Sequence, residues 1–491
     1  MNQNLIAFEN TPIIKDTGFR EYDARWILGS EINLVGIQAL GVGLGTYIHQ
    51  QGHKRIVVGH DYRSYSLSVK QSLILGLIQA GCEVLDIGLS VTPMAYFAQF
   101  DLCAPCVAMV TASHNENGWT GVKMGINPPL TFGPYDMQAL KTIVLNGNMA
   151  YKSGGSVTLV TGIAERYIAE VSNKWILSKP LTVICACGNG TAGAFAPNAL
   201  RRMGAKVIEL DCELNWNFPN YNPNPEDKLM LHAMSLAVKE HGADLALGFD
   251  GDGDRCGIVD DEGNEIFADK MGLLLARELV TEYPNSTFIV DVKSTGLFAT
   301  DEVLASHGAN TIYWKTGHSY IKSKTAEINA LAGFEKSGHF FLNGPLGRGY
   351  DCALTSAAAI FRLLDKSNIK LSQLRNTIPI TYSSPTMSPH CDDEIKYEVL
   401  KEIMSDYQHM ANNGDSILGR KIINVLTING IRVTLEDGSW ILVRASSNKP
   451  ELVVVVESTL SHEDMCNLFY FEVKPRLSLW PVIGDYNQEV S

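Results

Sequence analysis

A serine in a small polar turn is the first residue whose surroundings suit chemistry. Residues 110–125 read VTASHNENGWTGVKMG, and the apolar run 105–110 leads directly into Ser113 and His114. Glycines in this segment leave room for a ligand to approach the backbone, and Lys123 follows within reach. A serine hydroxyl beside a histidine and a lysine at the end of a strand is typical of nucleophilic or phosphoryl-transfer chemistry.

A second chemical stretch, residues 250–255, reads DGDGDR and follows the apolar run 245–249. Its carboxylates alternate with glycine and belong to Asp250, Asp252 and Asp254. Such a spacing suits a hard divalent cation with oxygen ligands, because three carboxylates held together repel one another unless a cation lies between them. A calcium loop of the EF-hand type needs Gly at its sixth position and Glu at its twelfth, where this chain has Arg255 and Asp261. The sequence therefore predicts a divalent-cation site of another kind.

Together the two stretches resemble loops of the α-D-phosphohexomutase family, most closely its phosphomannomutase/phosphoglucomutase enzymes. In that family the serine of a T-A-S-H-N loop carries the transferred phosphoryl group, and the D-G-D-G-D-R loop holds magnesium. The resemblance implies a phosphoserine at Ser113 and a metal site formed by Ser113 with the three aspartates. It also implies Mg²⁺ as the cofactor and a hexose 1,6-bisphosphate as the activator.

Two further loops match this family, in the family's order. Residues 335–339, EKSGH, are similar to the sugar-reading G-E-x-S-G-H loop, with Phe334 in place of the usual Gly. Residues 444–450, RASSNKP, are similar to the phosphate-binding R-A-S-N-T-x-P loop. In the second loop Ser447 and Asn448 stand where the family usually has Asn (or Gly) and Thr. Four matches in order, spread over nearly the whole chain, make the resemblance specific.

Shorter matches extend the expected site. Residues 16–26, DTGFREYDARW, are similar to the family's F-R-x-Y-D-I-R-G opening, with Ala24 and Trp26 at the changed positions. Residues 291–295, DVKST, and 315–319, KTGHS, are similar to its substrate-contact segments. These matches add Tyr22, Arg25, Lys293 and His318.

The resemblance implies a role for each matched residue. The expected catalytic residues are Ser113, Lys123, Arg25, Arg255 and His318. Among them, Lys123 and His318 are the candidates for proton transfer to and from the sugar hydroxyl. The expected substrate-binding residues are Tyr22, His114, Lys293, Glu335, Ser337, His339, Arg444, Ser446, Ser447 and Asn448. Glu335 and Ser337 would hold sugar hydroxyls, and the loop from Arg444 would grip the phosphate that is not reacting.

The elements that must position these loops follow a repeating pattern. Three successive units alternate strand and helix and place a chemical loop at the end of a strand, where open α/β sheets bind ligands. In the last unit, Asn429-Gly430 and Asp437-Gly438 are hairpin signals. We therefore predict three α/β domains with mixed, mainly parallel sheets and a C-terminal α+β domain, arranged around a central cleft. Their predicted ranges are 1–158, 159–262, 263–375 and 376–491.

Composition narrows the class of protein. The chain has 491 residues, 45% of them hydrophobic and 19% charged, which is typical of a globular protein with substantial cores. The net charge of −13 argues against a general nucleic-acid-binding surface. No apolar run is long enough for a membrane span, and the N-terminal sequence lacks the pattern of a secretory signal. We expect a cytoplasmic protein that binds a small phosphosugar and neither nucleic acid nor membrane; its oligomeric state is left open.

The cysteines carry no expected function. Ten are scattered along the chain, including the pairs Cys103/Cys106 and Cys185/Cys187. Neither pair has a second Cys or His pair nearby to complete a zinc site. The sequence therefore favours buried, reduced thiols of a cytosolic protein.

The function predicted from these motifs is a phosphohexomutase that interconverts hexose 1-phosphate and hexose 6-phosphate, with mannose or glucose or both as the sugar. A phosphoglucosamine mutase is the alternative, since it shares the serine and metal loops. A phosphoserine-dependent sugar phosphatase and a non-catalytic sugar-phosphate binding protein are also open. Separate sugar-reading and phosphate-gripping loops argue against the phosphatase, and the intact serine and aspartates argue against the binding protein.

Overall fold

The described residues are 11–447 and 449–490 of a computed structural model, and they form two units. Unit 1 contains the residues up to Leu275 together with Lys322–Arg375. Unit 2 contains Ala276–Ile321 together with the residues from Asn376 onward. The predicted domain 263–375 is therefore shared between the two units.

The first sheet of unit 1 carries the serine loop. Its strands are β1 Ala24–Ile27, β2 Arg55–His60, β3 Glu83–Leu89, β4 Cys106–Val110, β5 Trp119–Ile126 and β6 Ser156–Leu159. The helices are α1 Leu34–Gln50, α2 Ser66–Gln79, α3 Thr92–Asp101, α4 Pro134–Leu145 and α5 Ile163–Ser172. The strand order is β1-β5-β4-β2-β3-β6. Strands β4, β2, β3 and β6 are parallel, whereas β5 is antiparallel to both β1 and β4.

Helix α1 is an element that the sequence pattern does not predict, because its four glycines weigh against a helix. Glycine is required there by close packing against α2. A Cβ at Gly41 would lie 2.3 Å from the carbonyl oxygen of Leu73, and one at Gly76 would lie 2.0 Å from that of Gln38. The two backbones can approach this closely only because neither residue has a side chain. Tertiary packing thus overrides the low helix propensity of glycine.

The second sheet of unit 1 carries the aspartate loop. Its strands are β7 Thr182–Ala186, β8 Lys206–Leu210, β9 Leu245–Phe249, β10 Cys256–Asp260 and β11 Glu265–Ile266, in the order β11-β10-β9-β7-β8. Strands β9, β7 and β8 are parallel, and β10 is antiparallel to β9 and β11. The helices that follow these strands are α6 Ala196–Arg202, α7 Lys228–His241 and α8 Ala268–Glu282. The aspartate loop is the turn that joins β9 to β10.

Two further strand pairs lie in different units. In unit 2, β12 Thr287–Asp291 and β13 Asn310–Trp314 are parallel. In unit 1, β14 Ala332–Phe334 and β15 Phe340–Leu342 are antiparallel and enclose the sugar-reading loop. The helices of this region are α9 Leu297–Thr300, α10 Glu302–Ser306, α11 His318–Glu327, α12 Ala353–Ser367 and α13 Leu371–Arg375.

The C-terminal part of unit 2 is an antiparallel sheet with helices on one face. Its strands are β16 Tyr382–Ser383, β17 Ser416–Ile417, β18 Arg420–Leu426, β19 Ile431–Leu435, β20 Trp440–Ala445 and β21 Leu452–Ser458, in the order β16-β21-β20-β19-β18-β17. The helices are α14 Lys396–Asn413, α15 His462–Asn467 and α16 Lys474–Leu477, with a π-helical stretch at Leu468–Val473. Both expected hairpins are present. The predicted fold class, three α/β regions followed by an α+β region, is confirmed.

The two faces of this C-terminal sheet bury different partners. Residues such as Ile441 and Val443 on one face join a large core that includes helical residues such as Val399. Trp440 and Leu442, which alternate with them along β20, point to the other face and pack with Val292. The sheet is therefore buried on both sides, and its second face covers the segment that follows β12.

Within the part of the chain that the structure describes, no helix is both long enough and apolar enough to cross a membrane.

Candidate active site

Ser113 lies just past the end of β4, in a backbone conformation that residues other than glycine rarely adopt. Its φ is +52°, in the left-handed region, and its side chain is buried. Its amide donates to the hydroxyl of Thr111 (2.8 Å), which fixes the turn. Its Oγ donates to Oδ2 of Asp250 (3.2 Å) and lies 3.4 Å from Nδ1 of His114. The serine is therefore held beside the aspartate loop, as the motifs predict.

Asp61 and Arg63, which the sequence analysis did not identify, hold this turn from the end of β2. The carboxylate of Asp61 accepts hydrogen bonds from the hydroxyl of Thr111 and the amide of Ala112. The guanidinium of Arg63 donates to the carbonyl oxygen of Ser113 (2.9 Å) and is buried. Both residues lie in the sequence GHDYR, directly after β2. Their position at a strand end is the feature of the sequence that could have identified them.

The three aspartates meet with their carboxylates fully buried and within 4.8 Å of one another. Oδ1 of Asp250 accepts from the backbone amides of Asp254 and Arg255. Oδ2 of Asp252 accepts from Lys123 (2.8 Å), and the same ammonium also contacts Oδ2 of Asp254. The Oδ1 atoms of Asp252 and Asp254 have no hydrogen-bond donor among the described residues. Two orphaned, buried carboxylate oxygens in an all-oxygen set fit a hard divalent cation.

Burial and neighbouring charges shift the pKa values of Asp250 and Lys123. Burial, with Asp254 and Asp252 close by, raises the pKa of Asp250 well above its ordinary value. Burial alone would lower the pKa of Lys123, but Asp252 and Asp254 hold it above its ordinary value. Lys123 is therefore an ammonium at neutral pH. It supplies the positive charge that three adjacent carboxylates require.

Arg25 reaches the same side of the sheet as Lys123 through strand register. Arg25 pairs with Gly121, and Lys123 is two residues further along β5, so the two side chains share a face. A Cβ at Gly121 would lie only 2.8 Å from Cδ of Arg25. The guanidinium is fixed by Asp23 (2.8 and 2.9 Å) and by the carbonyl oxygen of Thr111 (2.9 Å). Glycine at 121 thus makes room for an arginine whose charge adds to that of Lys123.

Gly251 allows the aspartate loop to touch the serine turn. A Cβ on Gly251 would lie 2.6 Å from the carbonyl oxygen of Ser113. The amide of Gly251 donates to the carbonyl oxygen of Pro223 (3.1 Å), in the Pro/Asn-rich loop after β8. The first Gly of DGDGDR is therefore needed for the approach of two backbones.

The loop expected to hold the sugar is tied to the aspartate loop by a row of side chains that are buried apart from the half-buried Arg255. Nε of Arg255 donates to Nε2 of His339 (2.9 Å), so the proton of the imidazole lies on Nδ1. Nδ1 of His339 lies 3.0 Å from a carboxylate oxygen of Asp351, whose other oxygen pairs with Lys322 (2.8 Å). The row Arg255–His339–Asp351–Lys322 positions the loop that carries Glu335. Lys322 was not identified from the sequence.

Within this loop, the two residues expected to hold sugar hydroxyls contact each other. The hydroxyl of Ser337 donates to Oε2 of Glu335 (2.9 Å), and both side chains are buried. The amide of Glu335 donates to the carbonyl oxygen of His339 (2.9 Å), and the amide of Cys256 donates to that of Gly338 (3.1 Å). The loop is thus closed on itself and bonded to the strand that leaves the aspartate loop.

In unit 2, the segments of Lys293 and His318 are joined by one aspartate. Asp291 accepts from the hydroxyl of Ser294 (2.6 Å) and from that of Thr316 (2.9 Å). In the sequence, Lys293 lies between Asp291 and Ser294, and His318 is the first residue of α11. Both side chains are buried. The amide of Thr316 also donates to the side chain of Asn429, in a hairpin turn of the C-terminal sheet (3.2 Å).

Buried charges of the C-terminal sheet hold the Lys293 segment in place. Arg432 donates to the carbonyl oxygens of Val292 and Ser294 (both 2.7 Å), and its guanidinium lies 3.8 Å from the ring centroid of Trp440. Oε1 of Glu457 accepts from the hydroxyl of Thr295 (3.0 Å) and the indole of Trp440 (2.7 Å).

The loop expected to bind phosphate begins at Arg444, the buried next-to-last residue of β20. Its Nη1 donates to the carbonyl oxygen of Ala445 (2.8 Å), while its Nε has no partner among the described residues. Lys396, on α14, donates to the carbonyl oxygens of Ser446 (2.6 Å) and Lys449 (3.0 Å). These bonds span the two positions where the chain departs from the family pattern.

The structure distributes the predicted site residues between the two units. Unit 1 contains Ser113, His114, Lys123, Tyr22, Arg25, Asp250, Asp252, Asp254, Arg255, Glu335, Ser337 and His339. Unit 2 contains Lys293, His318, Arg444, Ser446 and Ser447. Ser447 is half-buried, and Asn448 lies outside the described residues. Tyr22 is buried, and His114 is partly exposed beside the serine.

Comparison with known proteins identifies relatives along the whole chain. Four successive segments match the family described as phosphoglucomutase/phosphomannomutase: α/β/α domain I at residues 16–150, domain II at 165–263, domain III at 267–382 and the C-terminal domain at 391–469.

Full-length similarity extends to characterised proteins and to a solved structure. The chain is 34% identical over 465 residues to the phosphomannomutase/phosphoglucomutase of Pseudomonas syringae pv. tomato, covering 94% of this chain and 96% of the relative. It is 31% identical over 469 residues to the phosphoglucomutase of Neisseria gonorrhoeae, covering 94% and 98%. A crystal structure of a phosphoglucomutase/phosphomannomutase family protein from Burkholderia thailandensis matches with a TM-score of 0.84 at 27% identity, covering 95% and 98%.

Proposed function

The chain belongs to the phosphoglucomutase/phosphomannomutase family and is a phosphohexomutase with a phosphosugar substrate, and we propose that Ser113 carries the phosphoryl group that it transfers. The observation that supports this assignment is the contact between Oγ of Ser113 and Asp250, the first residue of the aspartate loop. This contact keeps the Ser113 hydroxyl beside the candidate cation site.

In the proposed cycle, phosphorylated Ser113 gives its phosphoryl group to the free hydroxyl of a hexose monophosphate. The bond from phosphorus to the serine oxygen breaks, a bond to the sugar oxygen forms, and the sugar hydroxyl loses its proton. The resulting hexose 1,6-bisphosphate then returns its other phosphoryl group to Ser113, which leaves the isomeric monophosphate. The same bisphosphate, supplied from solution, would rephosphorylate any enzyme that has lost its phosphoryl group.

The charged residues of unit 1 fit the demands of this transfer. The three aspartates would hold Mg²⁺, which supplies neutralisation of charge at the phosphoryl oxygens. Lys123 and Arg25 add fixed positive charge on the same face, and Arg255 is held by His339 at the edge of the loop. Because the pKa of Lys123 is raised, its ammonium holds its proton tightly and suits a fixed cation, so the imidazole of His318 is the better candidate for proton transfer.

Different residues would bind the sugar and its distal phosphate. Glu335 and Ser337 would hold two adjacent sugar hydroxyls, with the row that ends at Lys322 fixing their loop. Arg444 and Ser446 would bind the phosphate that is not reacting, because the Nε of Arg444 is an unused buried donor in this unit.

Replacement of Ser113 by alanine tests the proposal. Ser113→Ala should lose turnover, and intact-mass measurement should show a singly phosphorylated species in the purified wild type that the variant lacks. Ser90→Ala is the matched control, since Ser90 is a buried serine of the same unit that contacts Met109. Turnover of Ser113→Ala near that of the wild type would overturn the phosphoserine assignment.

Substrate range follows from which carbons the sugar loop reads. A carboxylate and a hydroxyl that hold O3 and O4 discriminate at those carbons, by as much as about 10⁴-fold where a buried group would lose its partner. Glucose and mannose differ only at C2, so their kcat/KM values should lie within about tenfold of each other, which is about 1.4 kcal/mol. Galactose 1-phosphate, inverted at C4, should be a poor substrate.

Kinetics on mannose, glucose, galactose and glucosamine 1-phosphates, with free phosphate measured alongside, separate the alternatives. A strong preference for glucosamine 1-phosphate would make the protein a phosphoglucosamine mutase. Stoichiometric release of phosphate would indicate a phosphatase. Isomerisation of mannose and glucose phosphates without such release supports the proposed activity.

A further inference from the structure

Three cysteines converge in unit 1 outside the candidate active site. Cys185 lies on β7, Cys187 follows it, and Cys212 lies two residues after β8; all three are buried. The parallel pairing of β7 with β8 brings Cys212 to the other two, a juxtaposition that the spacing of Cys185 and Cys187 alone does not reveal. The three sulfur atoms lie within 4.8 Å of one another.

Two of the three distances between these sulfur atoms match those of ligands around one cation. Sγ of Cys185 lies 3.8 Å from Sγ of Cys187 and 3.9 Å from Sγ of Cys212. Thiolates bound at about 2.3 Å in tetrahedral geometry are about 3.8 Å apart, whereas a disulfide requires about 2.05 Å. We propose that Cys185, Cys187 and Cys212 form a binding site for a soft, thiol-preferring cation of the Zn²⁺ type, distinct from the aspartate site.

The chemistry of the surroundings sets the conditions for binding. Burial raises the pKa of Cys185 and of Cys187, whereas hydrogen bonds with these two sulfur atoms lower the pKa of Cys212 to about 5. Sγ of Cys212 also lies 3.1 Å from the carbonyl oxygen of Cys185. Because a cation binds cysteine as the thiolate, binding displaces the thiol protons that remain. Three protein ligands leave the fourth tetrahedral position to water.

The site would stabilise the loop that contacts the aspartate loop. The carbonyl oxygen of Cys187 accepts from the amide of Gly190 (2.8 Å), and the amide of Asn189 donates to the carbonyl oxygen of Asp211 (2.7 Å), next to Cys212. The amide of Thr191 then donates to the carbonyl oxygen of Gly251 (3.1 Å). A cation bound by the three cysteines would therefore restrain Cys187 and Cys212, the two points from which these hydrogen bonds lead to the aspartate loop.

The test uses Cd²⁺ as a spectroscopic probe on the reduced, full-length protein, with Mg²⁺ in excess so that the oxygen site is occupied. The wild type should show a sulfur-to-cadmium charge-transfer band that saturates at one equivalent. Cys212→Ala should lose most of the band, and Cys82→Ala, a buried cysteine of the first sheet, should keep it. Absence of the band in the wild type would overturn the proposal without recourse to any variant.

A second measurement follows thermal unfolding with and without one equivalent of Zn²⁺, again in excess Mg²⁺. Zn²⁺ should raise the Tm of the wild type and of Cys82→Ala and leave that of Cys212→Ala unchanged. Circular dichroism and mutase turnover in Mg²⁺ show whether Cys212→Ala is folded. A band or a Tm shift that persists in folded Cys212→Ala would place the cation elsewhere and overturn the assignment.

Discussion

Unit 1 and unit 2 bury charged side chains for different purposes. In unit 1, two buried lysines face buried carboxylates: Lys123 contacts Asp252 and Asp254, and Lys322 contacts Asp351. In unit 2, two buried cations hold backbone. Arg432 binds two carbonyl oxygens, as does Lys396, which also pairs with Asp393 (2.6 Å).

The difference predicts different consequences of mutation. A charge that balances other charges leaves an uncompensated buried partner when it is removed, which costs about 3–5 kcal/mol. A charge that holds carbonyl groups leaves polar groups that water can partly satisfy, at a cost of about 1–3 kcal/mol. Variants of unit 1 should therefore affect turnover and cation dependence, and variants of unit 2 should mainly affect KM.

The largest effect is expected for Lys123→Met. Three carboxylates would then lie together without their cation, so the free energy of unfolding in EDTA should fall by about 3–5 kcal/mol, and Mg²⁺ should restore part of it. Turnover should fall by about 10³-fold or more. Denaturant unfolding with and without Mg²⁺ measures the first effect.

Lys70→Met is the matched control for Lys123→Met. Lys70 is a buried lysine of the same unit, paired with both carboxylate oxygens of Asp86 (2.6 and 2.8 Å). Its loss should destabilise the protein without any change in the response to Mg²⁺. An equal Mg²⁺ response in both variants would show that Lys123 does not balance a cation site.

A smaller loss of turnover is expected for Asp351→Asn. The buried negative charge that lies 3.0 Å from Nδ1 of His339 and 2.8 Å from Lys322 would be removed, so the loop that carries Glu335 would be less well positioned against Arg255. Partners that orient a site in this way typically contribute about 10- to 100-fold. Steady-state kinetics should show this loss mainly in kcat. An unchanged kcat in a folded variant would rule out the positioning role of the row.

In unit 2, Arg444→Met should act on substrate binding. Loss of a hydrogen bond to a charged group costs about 1.5–3 kcal/mol, so kcat/KM should fall by about 10- to 150-fold, chiefly through KM. Arg420→Met is the comparison, because Arg420 pairs with Asp437 and Asp464 and does not belong to the loop. A loss confined to kcat would contradict the role in phosphate binding.

The smallest effect is expected for Lys396→Met, which frees the carbonyl oxygens of Ser446 and Lys449 but leaves Arg444 in place. Loosening of the loop should raise KM about fivefold, or about 1 kcal/mol. Lys401→Met, on the exposed side of the same helix, should not change KM. Equal effects of the two substitutions on KM would show that the rise results from the loss of one positive charge and not from loosening of the loop.

Local elements were predictable wherever their sequence pattern lies within one strand or one turn. The strands that lead to Ser113 and Asp250, and the hairpins at Asn429-Gly430 and Asp437-Gly438, lie within a residue or two of their expected positions. These features depend on short-range patterns that a single sequence displays. The proximity of Ser113 to the aspartate loop was instead expected from the family resemblance, because no local pattern joins two motifs so far apart in the chain.

Features that depend on distant parts of the chain were not predictable. Helix α1 owes its glycines to a neighbour about 30 residues away in sequence, and the ion pair of Lys322 with Asp351 joins a helix to a loop. The packing of the C-terminal sheet's second face on Val292 likewise joins residues that are far apart in the sequence. The three aspartates expected in the cation site were nevertheless brought together, because they lie in one turn.

The backbone of Ser113 sets catalysis and stability against each other. A residue with a side chain at φ +52° costs about 1–2 kcal/mol relative to glycine, and the contacts of Asp61 and Arg63 sustain that conformation. Glycine at this position would relieve the strain and remove the hydroxyl in the same step. A selection for thermal stability alone would therefore tolerate, or even enrich, inactive protein.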